Sequence, residues 1–180
     1  DGEPMQSGVR AVVPGDDLAG RSIAGVVSIK LKGFESTRGA PRESASFALR
    51  GRIDRPRDFR AQDLRALPSQ TLTTAETRRR SGAAMPGREF TGVLLYSLLE
   101  DAGIQRDPNV NEDFLRRIVV AHGADGYVSV IAGGELDPRF MNGAALISPE
   151  DDGSMRLVVP FDRGAVRGVK ALAAIEVLDG

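Results

Sequence analysis

The sequence predicts one α+β domain built around a mixed β-sheet. Short runs of alternating or β-branched apolar residues outnumber helical ones. The helical stretches are scattered and do not alternate regularly with strands. No GxGxxG or GxxxxGK[ST] signature is present, which argues against a βαβ nucleotide-binding fold. At 180 residues the chain is about one domain long and can bury a genuine core. That core must be aliphatic, because aromatic residues make up 5% and Trp is absent.

The elements follow in order. Residues 1–46 read as an N-terminal arm, rich in Gly, Pro and Asp as far as Gly20, with a first strand over Ile23 to Leu31 (IAGVVSIKL). Residues 47–180 form the body of what is one structural domain overall. Phe47 to Ile53 alternates apolar and polar residues, the period of a half-buried strand. Asp54 to Asp58, interrupted by Pro56, is a turn, and Ala61 to Leu67 is a short helix stopped by Pro68. Thr71 to Ala75 is β-branched enough for a strand. It leads into the polar run Glu76 to Ser81 and a loop from Gly82 to Gly87. Val93 to Ala102 (VLLYSLLEDA) carries a helical apolar face, with Gly103 placed as a left-handed cap. Ile118 to Ala121 and Tyr127 to Ile131 are strands around a tight turn at Gly123-Ala124-Asp125-Gly126. Ala144 to Ile147, Met155 to Val159 and Ile175 to Leu178 complete a strand-rich half, expected to lie in one mixed sheet. Asp151-Asp152-Gly153 is a hairpin connection between two of them.

Composition removes several function classes. The 24 Lys and Arg are balanced by 25 Asp and Glu, so the basic surplus that phosphate backbones demand is missing, and nucleic acid is not an expected partner. No apolar run approaches the ~20 residues that span a bilayer, so no membrane span is expected. The chain has no Cys, which excludes disulfides and thiolate metal sites. Its opening, Asp1-Gly2-Glu3-Pro4 without an initiator Met, fits the mature form of an exported, periplasmic protein, and equally any trimmed chain.

Three features could carry chemistry. Among the cationic residues only Lys30, Lys32 and Lys170 are lysine. Coding bias explains such a skew, and so does a need for fork-shaped anion ligands. Arg78-Arg79-Arg80 repel one another and read as a solvated run, unless a buried anion holds them together. Val166-Arg167-Gly168-Val169-Lys170 follows the Gly-containing loop Asp162 to Ala165, and combines cations with accessible amides; a surface turn would look the same. His122, the only histidine, cannot build an imidazole metal site and reads as structural.

The order of these pieces carries a resemblance. Thr71 to Arg79 (TLTTAETRR) resembles the TLxCAGNRR segment of the sulfite oxidase family. Phe90 to Gly103 (FTGVLLYSLLEDAG) is similar to that family's W/F-x-G-V-x-L-x-x-L-L-x-x-A-G helix. Asp125-Gly126-Tyr127 matches its DGY turn, and Glu135-Leu136-Asp137-Pro138 its acidic, proline-containing link. Met155 to Pro160 (MRLVVP) with Ala165 to Lys170 (AVRGVK) resembles its LRLVVP…ARSVK ending. The likeness runs from about Phe47 to Leu178.

The resemblance implies the sulfite-oxidase-like molybdopterin-binding fold, a molybdenum–molybdopterin cofactor, and oxygen-atom or electron transfer at the metal. It places Arg167 and Lys170 on the pterin phosphate, Arg79 beside the metal-ligand loop, and Tyr127 at the substrate pocket. Thr74 takes the position of the cysteine that ligates molybdenum. A neutral hydroxyl is a hard and poor substitute for that soft thiolate. Glu76 and Thr77 replace the Gly and Asn that follow, and no NHxP-like segment precedes Phe47. The expectation is a non-catalytic ligand-binding or accessory domain that takes a small anion or pterin and holds no molybdenum. The alternatives are a molybdopterin-dependent oxidoreductase that binds its cofactor without a protein thiolate, and a domain that has lost the pocket. Arg167 and Lys170 are expected near the loop of Arg79, with Glu76 or Asp125 compensating their charge when no ligand is bound. A protein partner is left open.

Overall fold

The computed structural model of the chain describes residues 9, 11, 12, 24–30, 33, 44–78, 84–140, 144–162 and 166–180. Strand β1 (Ser46–Gly51) presents Phe47 and Leu49 to the core and turns through Pro56 into β2 (Arg57–Arg60). The two run antiparallel, and their cross-strand partners Phe47 and Phe59 stack with ring centroids 5.2 Å apart. Helix α1 (Ala61–Arg65) begins where the Asp63 carboxylate accepts the Arg60 N–H at 2.7 Å, and ends ahead of Pro68. Next come β3 (Gln70–Thr73), the short pair β4 (Thr77–Arg78) and β5 (Ala84–Met85), and β6 (Glu89–Leu94).

Helix α2 (Leu95–Ala102) buries Leu95, Leu98, Leu99 and Ala102, the i, i+3, i+4, i+7 stripe of an amphipathic helix. Gly103, at φ 77°, caps it in the left-handed region as expected. The helix starts two residues later than its apolar pattern suggests. Val93 and Leu94 belong to β6, where they pair with Ile147 and Leu146. A continuous Val-Leu-Leu run fits either element, and the pairing decides.

A 3₁₀ turn (Asp113–Arg116) leads into β7 (Arg117–Gly123), β8 (Val128–Ala132) and the single-turn helix α3 (Gly133–Leu136). Then follow β9 (Leu146–Pro149), β10 (Met155–Val158) and β11 (Leu172–Asp179). The strands form a five-stranded sheet ordered β2-β1-β11-β7-β8 and a four-stranded sheet ordered β10-β9-β6-β3, beside the β4-β5 pair. The five-stranded sheet is mixed, since β1 and β11 are parallel and its other pairs antiparallel.

Two expectations are corrected. The strands of the C-terminal half do not share one sheet: β7, β8 and β11 lie in the first, β9 and β10 in the second. The sheets nonetheless share one core cluster, to which Leu49, Val119, Ile175, Ile147 and Leu157 all belong. Residues 24–30 form no strand, and Val27 and Ile29 are largely exposed. Their apolar alternation suits a strand, and the Val26 N–H donates to the Val9 carbonyl at 2.8 Å, but no ladder continues that bond among the described residues. Among the described residues no helix is long and apolar enough to cross a membrane.

An ion-pair cluster fastens the start of β7 to the end of β11. Arg117 and Asp113 are both buried and meet at 2.6 Å, while Arg117 also pairs with Asp179 and donates to the Gln105 carbonyl at 3.2 Å. The Asp107 N–H holds the Asp113 carboxyl below the usual carboxylate range, joined by Arg116 and Arg117 and opposed by burial. Removing the carboxylate would leave Arg117 buried with one partner fewer. Asp113→Ala should therefore cost about 3 kcal/mol or more in urea unfolding at neutral pH. The depressed pKa also sets a pH window. Its stabilisation is complete above the unfolded value near 4 and is lost as pH falls through the native one. The wild-type urea midpoint should fall on acidification below about pH 5, and Asp113→Ala should show a flatter profile there. Equally steep profiles would count against the cluster.

Candidate functional site

Thr74 stands immediately after β3, where the ladder to β6 would ordinarily fray. The regular register ends at Thr73 opposite Glu89. Pairing continues one step further because the Thr74 N–H donates to the Arg88 carbonyl at 2.9 Å. The return bond is made by a side chain: the Arg88 N–H donates to Thr74 Oγ1, also at 2.9 Å. The hydroxyl thus takes the place of a main-chain acceptor. The Thr74 carbonyl instead lies against Gly87, where a built Cβ would stand 2.1 Å from its oxygen. Only a residue without a side chain permits that approach.

The next residue ties this loop to a distant part of the chain. The Ala75 N–H donates to the Pro160 carbonyl at 2.8 Å. Pro160 lies just past β10, and Phe161 and Asp162 follow it. The segment after β10 is held in turn by a two-way bridge between Leu157 and Val169, N–H to carbonyl at 2.9 and 3.0 Å. Main-chain bonds thus tie the Thr74 loop to Pro160, and Leu157, three residues earlier, to Val169.

Arg167 does not point into bulk solvent. Asp162 accepts from its Nε at 3.0 and 3.1 Å and from Nη2 at 2.6 Å, covering one edge of the guanidinium. Glu135, on α3, accepts from Nη1 at 2.7 Å. Hydrogen bonds to Asp162 raise the proton affinity of Arg167 above that of an ordinary arginine; partial burial opposes this, and Glu135 reinforces it. The compensating carboxylates are thus Asp162 and Glu135, which replace the expected Glu76 and Asp125. Glu76 is exposed, and Asp125 Oδ1 instead accepts the Tyr127 N–H at 3.0 Å.

Tyr127 fastens the same segment from the other side, its hydroxyl donating to the Val166 carbonyl. Lys170 is exposed and has no carboxylate partner among the described residues. Beside it Ala171 adopts φ 44°, a left-handed conformation that costs a non-glycine residue free energy, and accepts the Ala124 N–H at 2.9 Å. Arg79, the remaining candidate, lies outside the described residues, as does the 163–165 part of the Gly-containing loop. His122 sits apart on β7, 3.8 Å from Glu176, in keeping with a structural role.

The donor set does not fit a thiolate-ligated metal. Thr74 is neutral and its oxygen is already a backbone acceptor, and the chain contains no Cys. Among the described residues no three His, Asp or Glu side chains converge as metal ligands.

Sequence reasoning did not single out Glu135 and Asp162 as the partners of Arg167. Asp162 had a local signal, lying five residues before Arg167 across a glycine-containing loop. Glu135, thirty-two residues away, had only its place in the acidic link.

Comparisons with known proteins come to bear at this point. The family model described as the oxidoreductase molybdopterin binding domain matches residues 37–180. Among solved structures, the sulfane dehydrogenase SoxCD from Paracoccus pantotrophus is similar in fold, with a TM-score of 0.56 at 19% identity. That match covers 82% of this chain and 40% of the other, so this chain spans less than half the neighbour's length. No curated protein matches the sequence.

The Gly87–Thr74 contact can be tested directly. Gly87→Ala places a methyl group against a main-chain carbonyl that cannot yield without breaking the bridge to Arg88, and should cost about 2 kcal/mol in urea unfolding. Thr74→Val, which removes only the hydroxyl acceptor, should cost about 1 kcal/mol. A Gly87→Ala variant as stable as wild type would show that the two segments do not approach this closely.

Proposed function

The chain belongs to the oxidoreductase molybdopterin-binding domain family, and from that premise we propose that it is a ligand-binding or accessory member. In this reading it holds a pterin phosphate or a related small anion without a protein–metal thiolate bond. When bound, the family's cofactor supplies redox chemistry at its molybdenum. The residues of this chain bind and orient an anion.

One observation carries the reading. The side chain at the metal-ligand position is a hydroxyl that serves the backbone, accepting the Arg88 N–H. A thiolate there would be anionic, soft and directed at a metal; Thr74 Oγ1 is none of these. Arg167, Lys170 and Tyr127 support the binding half of the proposal. Arg167 offers a planar fork suited to phosphate, and Lys170 a solvated positive charge three residues on. Tyr127 and Asp162 hold the segment that presents both.

The second reading is a redox enzyme that keeps its cofactor through the pterin alone, and family membership favours it. Metal analysis separates the two. After production in a host that makes the cofactor, the purified protein should contain well under one molybdenum per chain once passed through gel filtration. One molybdenum per chain, retained through that step, would replace the accessory reading with the oxidoreductase one.

A further inference from the structure

We propose that Glu135 is an internal competitor in the anion site, one that admits phosphate dianions and turns away monocarboxylates. The inference rests on the reading of Arg167 and Lys170 as an anion site, and adds to it what the site selects. It follows from how unequally the two carboxylates hold Arg167.

Asp162 spans the Nε–Nη2 edge and also accepts the Arg167 backbone N–H at 3.3 Å. With four contacts from the same loop, it fixes the plane of the guanidinium. Glu135 reaches across from α3 and makes one hydrogen bond to Arg167, at Nη1. Its other oxygen accepts the Ala132 N–H at 3.3 Å, the long capping bond at the start of α3. Asp162 is thus the permanent partner and Glu135 the exchangeable one. Arg167 is about one-third exposed, so the edge at Nη1 can be reached from solvent once Glu135 swings away.

The ligand that can displace Glu135 must outmatch a tethered carboxylate. A free monocarboxylate offers Nη1 the same chemistry and lacks the advantage of being attached, since a tethered group acts at an effective concentration on the order of millimolar or higher. A phosphate dianion brings a second charge and a third acceptor oxygen, which a monocarboxylate lacks. Lys170 has no carboxylate partner among the described residues to give up first. Glu135 therefore sets a threshold of charge, and phosphate monoesters are the class that passes it.

The test uses the full chain, with inorganic phosphate and acetate as probes in isothermal titration at fixed ionic strength. Wild type should bind phosphate weakly and acetate not at all. Glu135→Gln keeps the shape of the side chain and removes its charge. It should bind phosphate about tenfold more tightly and begin to bind acetate. Lys170→Ala, an exposed change that leaves the fold intact, should weaken phosphate binding in both backgrounds. If Glu135→Gln matches wild type for both probes while Lys170→Ala still weakens phosphate, the anion site stands and the competitor is overturned. If phosphate binds to none of the proteins, the anion-site reading fails and takes this proposal with it.

Discussion

Strand β11 is the constraint on which the rest of the molecule depends. It lies in the middle of the five-stranded sheet, parallel to β1 on one side and antiparallel to β7 on the other. Parallel neighbours cannot be joined by a tight turn, so the chain between β1 and β11 must leave the sheet and return. It does so by building the second sheet, α2 and the β7–β8 hairpin on the way. Leu172, Ile175 and Val177 are fully buried from this central position, and the Arg117 cluster fastens the strand's far end. Val169 is fixed by its bridge to Leu157, and Lys170 lies between that bridge and the start of β11. The cationic loop inherits its position from the sheet.

Within that frame the site has turned inward. The position that faces the metal in the family's pattern is spent on a main-chain hydrogen bond. The arginine assigned to the phosphate is occupied by two carboxylates of the same chain. Both arrangements satisfy polar groups from within the chain. Partly buried charges are costly unless paired, so a chain that stands without its ligand must supply such partners itself.

Much of the fold was legible in the sequence because it rests on local chemistry. The turns at Gly123–Gly126 and Asp151–Gly153, the Gly103 cap and the alternation in β1 follow from neighbouring residues. What was not legible depends on partners. The four residues of β2 contain one apolar side chain, and its strand character comes from lying beside β1. Val93 and Leu94 read as helix until β9 pairs with them, and residues 24–30 have a strand's pattern but no ladder among the described residues. The site divides in the same way. Thr74, Tyr127, Arg167 and Lys170 were singled out through motifs in the right order. The Thr74 bond to Arg88 and the Glu135 bond to Arg167 join residues whose proximity no local spacing encodes.

The central place of β11 also bears on how the protein is made. A ribosome delivers β1 early and β11 late, so β1 leaves the exit tunnel with only β2 to pair and its other edge bare. Nearly the whole domain must be synthesised before that edge is covered, and contacts so distant in sequence are slow to close. An uncovered strand carrying Phe47 and Leu49 invites pairing with other nascent chains. Successful production should thus depend less on the finished domain's stability than on how the half-made one is sheltered, whether by a holding chaperone or by slower translation.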